Sequence, residues 1–237
     1  MSTRSTASFR AAAVPLIAAF ALTGGLLTAC SSSAVADPVA LSTRSQAHSH
    51  AGQGSDLPAA SAEASLYSAM RTLWDQHMAW TWSTVVAFAE DSPALDPTIA
   101  RLLANQADIG DAIAPFYGED AAAQLTELLQ THITLAVPVL TAAEAGDTDA
   151  LDAALDDWYA NARDIADFLA AANHAWAKRD LRDMMETHIT QTTAYAAAVL
   201  AGDYESAIAT FDEAQAHMAE MADMLSAGLI AQFLERF

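Results

Sequence analysis

Cysteine occurs once in this chain of 237 residues, at position 30, and lysine once, at position 178. A single cysteine excludes a disulfide framework and a CxxC metal or redox site. Basic residues are also few. Ten Lys and Arg stand against 30 Asp and Glu, for a formal net charge of −20. That balance excludes a nucleic-acid partner, since gripping a phosphate backbone needs clustered positive charge. It equally excludes docking on anionic lipid by charge alone. No segment alternates apolar and polar residues as a half-buried strand does, and no HExxH, repeated ExxH pair or GxSxG occurs. What is abundant is apolar residue, 53% of the chain. A packed core is therefore within reach, and a length under 250 residues suggests one domain, or one domain and a tail.

The lone cysteine has a specific position. Arg4 and Arg10 precede an apolar run from Ala11 to Leu22, followed by Gly24-Gly25 and Leu27-Thr28-Ala29-Cys30. The run is shorter than the roughly 20 residues that span a bilayer, so it reads as a signal segment. Leu27-Thr28-Ala29-Cys30 resembles the lipobox of bacterial lipoproteins at all four positions. The resemblance implies cleavage after residue 29 and attachment of diacylglycerol to the Cys30 sulfur, with palmitate-type acyl chains. Two or three chains anchor stably where one is marginal. Loss of Arg4 and Arg10 leaves eight basic residues against 30 acidic, a charge of −22 on the mature chain. No twin-Arg pair is present, so export runs through the general secretory route in an unfolded state, and any cofactor is acquired outside. The expected location is extracytoplasmic, at the cell membrane, held by lipid.

Residues 30–60 are rich in Ser, Ala, Gly, Pro and Gln and read as a flexible linker. His48 and His50 in this stretch read as polar spacer. From Ser61 onward the pattern is helical, and the expected fold class is all-α. Six helices are predicted, at about 61–89, 96–114, 119–145, 148–172, 178–201 and from 203 nearly to the end. Asp96-Pro97 looks like an N-cap followed by proline at the first helical position, Pro115 and Gly118 like a stop, and Pro138 like a kink.

The helical region repeats itself. Thr131-His132-Ile133-Thr134 recurs as Thr187-His188-Ile189-Thr190, and fourteen residues beyond each histidine stands Gly-Asp, at 146–147 and 202–203. In the same frame Asn161, Asp164 and Asp167 align with His217, Glu220 and Asp223. A third copy precedes them, with His77, and with Asn105, Asp108 and Asp111 one residue early. The reading is three repeated α-hairpins at about 61–117, 118–173 and 174–237, closed into a bundle in preference to a short solenoid.

His77, His132 and His188 lie on the apolar stripes of their helices, among residues such as Leu73, Leu129 and Met185. An imidazole on an apolar face needs a partner. Asn105, Asn161 and His217 sit at stripe edges and could reach buried groups. By helical phase the acids after them point outward, toward solvent or capping roles. Three readings follow: core histidines bonded to neighbouring polar side chains, a metal site, or a general acid–base site. For a metal the candidate ligands are His77, His132 and His188, with His217 and Glu220, holding Zn, Cu or Fe. Met218, Met221 and Met224 beside His217, with Met184 and Met185, would suit Cu(I) but also read as core filler.

The stretches Leu73-Trp74 with His77, Asn105 with Asp108-Ile109-Gly110, Trp158-Tyr159-Ala160-Asn161 and Met221-Ala222-Asp223-Met224 resemble uncharacterised helical proteins of bacteria. That resemblance implies a stand-alone domain and brings no activity and no catalytic residues. The expectation is thus a lipid-anchored binding domain, metal-binding through its apolar-face histidines. A structural or protein-interaction lipoprotein and a metalloenzyme with a bundle-core site are the alternatives. Catalysis is the less favoured, and the partners are the membrane, through the anchor, and a metal ion or a protein. Cys30→Ala should shift the protein from the membrane fraction to the soluble fraction. A variant that stays membrane-bound would contradict the anchor.

Overall fold

The computed structural model describes residues 60–237. The stretch read as a signal segment, Cys30, His48 and His50 lie outside the described residues. Those described form six α-helices and no strand: α1 (Ala62–Ala89), α2 (Leu95–Tyr117), α3 (Glu119–Ala145), α4 (Thr148–Ala172), α5 (Lys178–Leu200) and α6 (Tyr204–Gln232), with a 3-10 turn at Leu234–Arg236. None is long and apolar enough to cross a membrane. The all-α class is as expected.

Local chemistry sets the helix ends. Gly146 closes α3 and Gly202 follows α5, at φ of 66° and 73°, in the left-handed region that costs glycine nothing. The aspartate after each glycine then caps the next helix. Asp147 Oδ1 accepts from the Ala150 amide at 3.0 Å, and Asp203 Oδ1 from the Ser206 amide at 3.1 Å. Each repeated Gly-Asp pair is therefore one stop and one start, joined in two residues. Two prolines depart from expectation. α2 begins at Leu95 and continues through Pro115 to Tyr117, with no side-chain cap from Asp96. Pro97 fits because first-turn amides have no helical partner in any case. Pro138 lies inside α3, as expected.

Each helix packs on its neighbours in the chain, and α6 packs back on α1, which closes the ring. α2 packs on α3 as it does on α1, so the contacts run around the ring instead of dividing it into separate pairs. α5 also touches α1 and α3 across the middle. The first-helix stripes thus face inward. One end of the bundle is an apolar core, including Met70, Ile109, Leu125, Ile165, Leu181 and Leu229, all 3% exposed or less. The other end, toward the last turns of α1, α3 and α5, encloses a cavity. Between the two ends lie the three histidines, near the midpoint of α1, α3 and α5.

Asp147→Ala and Asp203→Ala should each lower stability by about 1 kcal/mol, the usual loss for an N-cap, read in denaturant melts. Unchanged midpoints for both would refute the role given to the Gly-Asp pairs.

Candidate functional site

His77, His132 and His188 are each 3% exposed. The rings meet in one layer, with His188 between the others. Its centroid lies 5.5 Å from that of His77, tilted at 56°, and 5.8 Å from that of His132, stacked at 27°. Trp74 stands edge-on to His77 at 5.7 Å, and Trp158 lies 5.2 Å from His132. The three rings therefore converge, a point that the sequence left open.

One clasp recurs behind each ring. Asn105 Nδ2 donates to the Leu73 carbonyl at 3.1 Å, Asn161 Nδ2 to the Leu128 carbonyl at 3.2 Å, and His217 Nε2 to the Met184 carbonyl at 2.9 Å. Each carbonyl belongs to the residue four before a layer histidine. The side chain at the same repeat position thus ties each even-numbered helix to the helix before it, at the level of the ring.

These clasps also fix the protons. Asn161 Nδ2 is committed to a carbonyl, so its Oδ1 faces His132 Nδ1 at 2.9 Å and must accept. His132 therefore carries its proton on Nδ1 and turns a lone pair on Nε2 inward. The first copy works in reverse. Gln106 Nε2 lies 3.0 Å from the Leu102 carbonyl, 3.3 Å from Asn105 Oδ1 and 3.2 Å from His77 Nδ1. Swapping the amide would set oxygen against two oxygens, so nitrogen faces His77 and the Nδ1 of that ring accepts. The His77 proton then sits on Nε2. In the third copy His217 is committed to Met184, and His188 Nδ1 is buried without a protein partner.

Burial drives all three rings toward the neutral form. His77 is pushed down to about 3 by burial and by its nearness to His132. His132 is pushed down to about 4 by burial, partly offset by the bond to Asn161. His188 falls well below its ordinary value through burial and the presence of His77, His132 and His217.

The ring layer floors a cavity of about 100 Å³ whose walls include Val85, Ile133, Val139, Leu140 and Ala196. Polar atoms without a protein partner concentrate here. His77 Nε2, His132 Nε2, His188 Nδ1, Trp158 Nε1 and the hydroxyls of Thr84 and Thr193 are all buried, belong to residues lining this cavity, and have no hydrogen-bond partner in the protein.

Two proposed ligands are corrected. His217 is half-buried on α6, spends Nε2 on Met184 and does not line the cavity. Glu220, three residues on, turns outward and is exposed. The acids at the repeat positions are outward too, as helical phase implied: Asp108 pairs with Arg101, Asp167 with Lys178 and Arg182, and Asp223 with Arg71. Met218 and Met221 belong to the apolar core, and none of the methionines lines the cavity. Sequence reasoning passed over Gln106, because its repeat counterparts are Ala162 and Met218 and only a pattern-breaking polar residue on a buried face could have flagged it.

Among the described residues no group of three His, Cys, Asp or Glu is arranged to hold a metal ion. Comparison with known proteins finds no matching family model, no matching curated protein and no matching solved structure.

The pH dependence follows with a definite sign. The folded values for His77 and His132 lie below the ordinary 6.5, so the unfolded chain takes up protons first. Stability is full above about pH 6.5 and falls as pH drops, by about 2 kcal/mol for each of these two histidines at pH 5. Melting temperature should decline steadily between pH 7 and pH 5. A flat profile would contradict the burial of neutral rings.

Proposed function

We propose that residues 61–237 form a binding domain whose site is the cavity floored by His77, His132 and His188, displayed outside the membrane by acyl chains on Cys30. The observation that carries this reading is a cavity of about 100 Å³ walled by apolar side chains against the histidine layer, with no charged residue in its lining. Folded interiors pack nearly all such space away, and a preformed apolar space of this kind takes a small uncharged body. A general-acid role for the imidazolium is disfavoured, because burial holds His77 and His132 neutral near pH 7.

A metal ion on the same rings is a second reading, and one contact favours it. Asn161 accepts the Nδ1 proton of His132 and leaves Nε2 free, as the outer partner of a metal-bound imidazole does. The opposite tautomer of His77 weighs against it.

Native mass spectrometry of the chain recovered from its own cell envelope tests the binding reading, with Ala196→Leu as a cavity-filling control. A bound small species in the wild type, absent from the variant, is the expected result. Wild type and variant both without any bound species would overturn it. Loading with Zn²⁺, Cu⁺ or Fe²⁺ separates the two readings. One ion retained per chain against chelator, and lost in His132→Ala, would favour the metal.

A further inference from the structure

We infer that the cavity takes a short hydrocarbon segment of about four carbons, held by shape and apolar contact with no hydrogen bond to the protein. This deepens the binding reading above and rests on it.

The space is written into the sequence. On α1, α3 and α5 the residues four and eight after the layer histidine line the cavity: Thr81, Ala136 and Thr192 in one tier, Val85, Leu140 and Ala196 in the next. On the other side of the layer, the residues three before each histidine are Trp74, Leu129 and Met185, and those seven before are Met70, Leu125 and Leu181. All of these are buried in the apolar core. The same axis is thus filled by large side chains on one side of the histidines and lined by smaller ones on the other. Ala196 stands where the second copy has Leu140, so its tier is short of one large side chain.

The surface that a ligand meets is almost wholly carbon. His77 Nε2, His132 Nε2, Trp158 Nε1 and the Thr84 hydroxyl belong to lining residues, yet these atoms are covered by their neighbours. Thr81 spends its hydroxyl proton on the His77 carbonyl at 2.7 Å. Water needs about two to four polar partners, so an apolar space of this kind stays dry. A hydrocarbon supplies the dispersion contacts that the walls otherwise lack. A hydroxyl, carboxylate or ammonium inside would lose its water and find nothing in exchange.

Size sets the length. A cavity of roughly 150 Å³ holds benzene, and this one, at about 100 Å³, has room for about four carbons. Its lining runs out to Ile99, Val137, Leu151 and Leu200, which are exposed or half-buried, at the end of the bundle where α1, α3 and α5 finish. The turns at that end, residues 90–94, 146–147 and 201–203, carry Glu90, Asp91, Asp147 and Asp203 and no Lys or Arg, and these acids are exposed. The segment is therefore a free hydrocarbon or the tip of a chain whose head stays outside. Such a head is neutral or cationic, since an anion would meet like charge at those turns.

The test uses the purified chain with xenon, n-butane and 1-propanol, which is butane with one terminal methyl replaced by hydroxyl. Hexylammonium and hexanoate, which share a tail, are the amphiphile probes. Methyl resonances of Val85, Ile133 and Leu140 are followed by NMR. Butane should bind at least about tenfold more tightly than propanol, because the hydroxyl finds no partner. Ala196→Leu and Ala136→Leu fill the cavity from α5 and α3, and whichever melts cooperatively should lose both xenon and butane. Butane bound without either amphiphile assigns the site to a free hydrocarbon. Hexylammonium bound as well, and more tightly than hexanoate at low salt, assigns it to a chain tip. Hexanoate bound as tightly as hexylammonium at low salt would overturn the assignment of the head. If xenon enters but propanol binds as tightly as butane, the hydrocarbon class is wrong and the binding site survives. If neither xenon nor butane enters the wild type, the binding reading fails with it.

Discussion

Three imidazoles buried side by side in an apolar interior constrain everything around them. Charged, they would repel one another and lose their hydration, so they must be neutral. Neutral, each still has two nitrogens, one donor and one acceptor, that need partners. The bundle answers half of that demand. The outer nitrogens of His132 and His77 are taken by Asn161 and Gln106, and the clasp residues hold the neighbouring helices at the depth where those bonds close. The inner nitrogens remain buried and unpartnered by protein, on residues that line the cavity.

The clasp explains how one repeated pattern serves both fold and site. Asn105, Asn161 and His217 each reach a carbonyl four residues before a layer histidine, on a helix adjacent in the ring. The third copy departs in a way that matters. His217 keeps the backbone bond, and His188 Nδ1 has no protein partner, whereas Gln106 and Asn161 bond the rings of His77 and His132. The layer thus has one ring fixed as an inner acceptor and one fixed as an inner donor.

Much of this was legible beforehand, for identifiable reasons. Histidine on an apolar stripe is a phase statement, and phase survives into the structure, so His77, His132 and His188 were identifiable as buried. The same arithmetic placed Asp164 and Glu220 outside, yet Glu220 was kept as a ligand on the strength of its repeat position, and phase proved the better guide. Tautomers were not legible, because they depend on which amide atom faces which ring nitrogen across a helix interface. Gln106 was missed because repetition highlights what recurs, and this residue occurs once. The Asp96-Pro97 start was misjudged because proline is tolerated anywhere in a helix's first turn. Cys30 lies outside the described residues.

The account depends most on the protonation pattern of the histidine layer, which long-range ¹H–¹⁵N NMR of the imidazoles reads directly. At pH 6 all three rings should be neutral, with the proton on Nε2 in His77 and on Nδ1 in His132. Protonated rings at that pH, or the same tautomer in both, would contradict it.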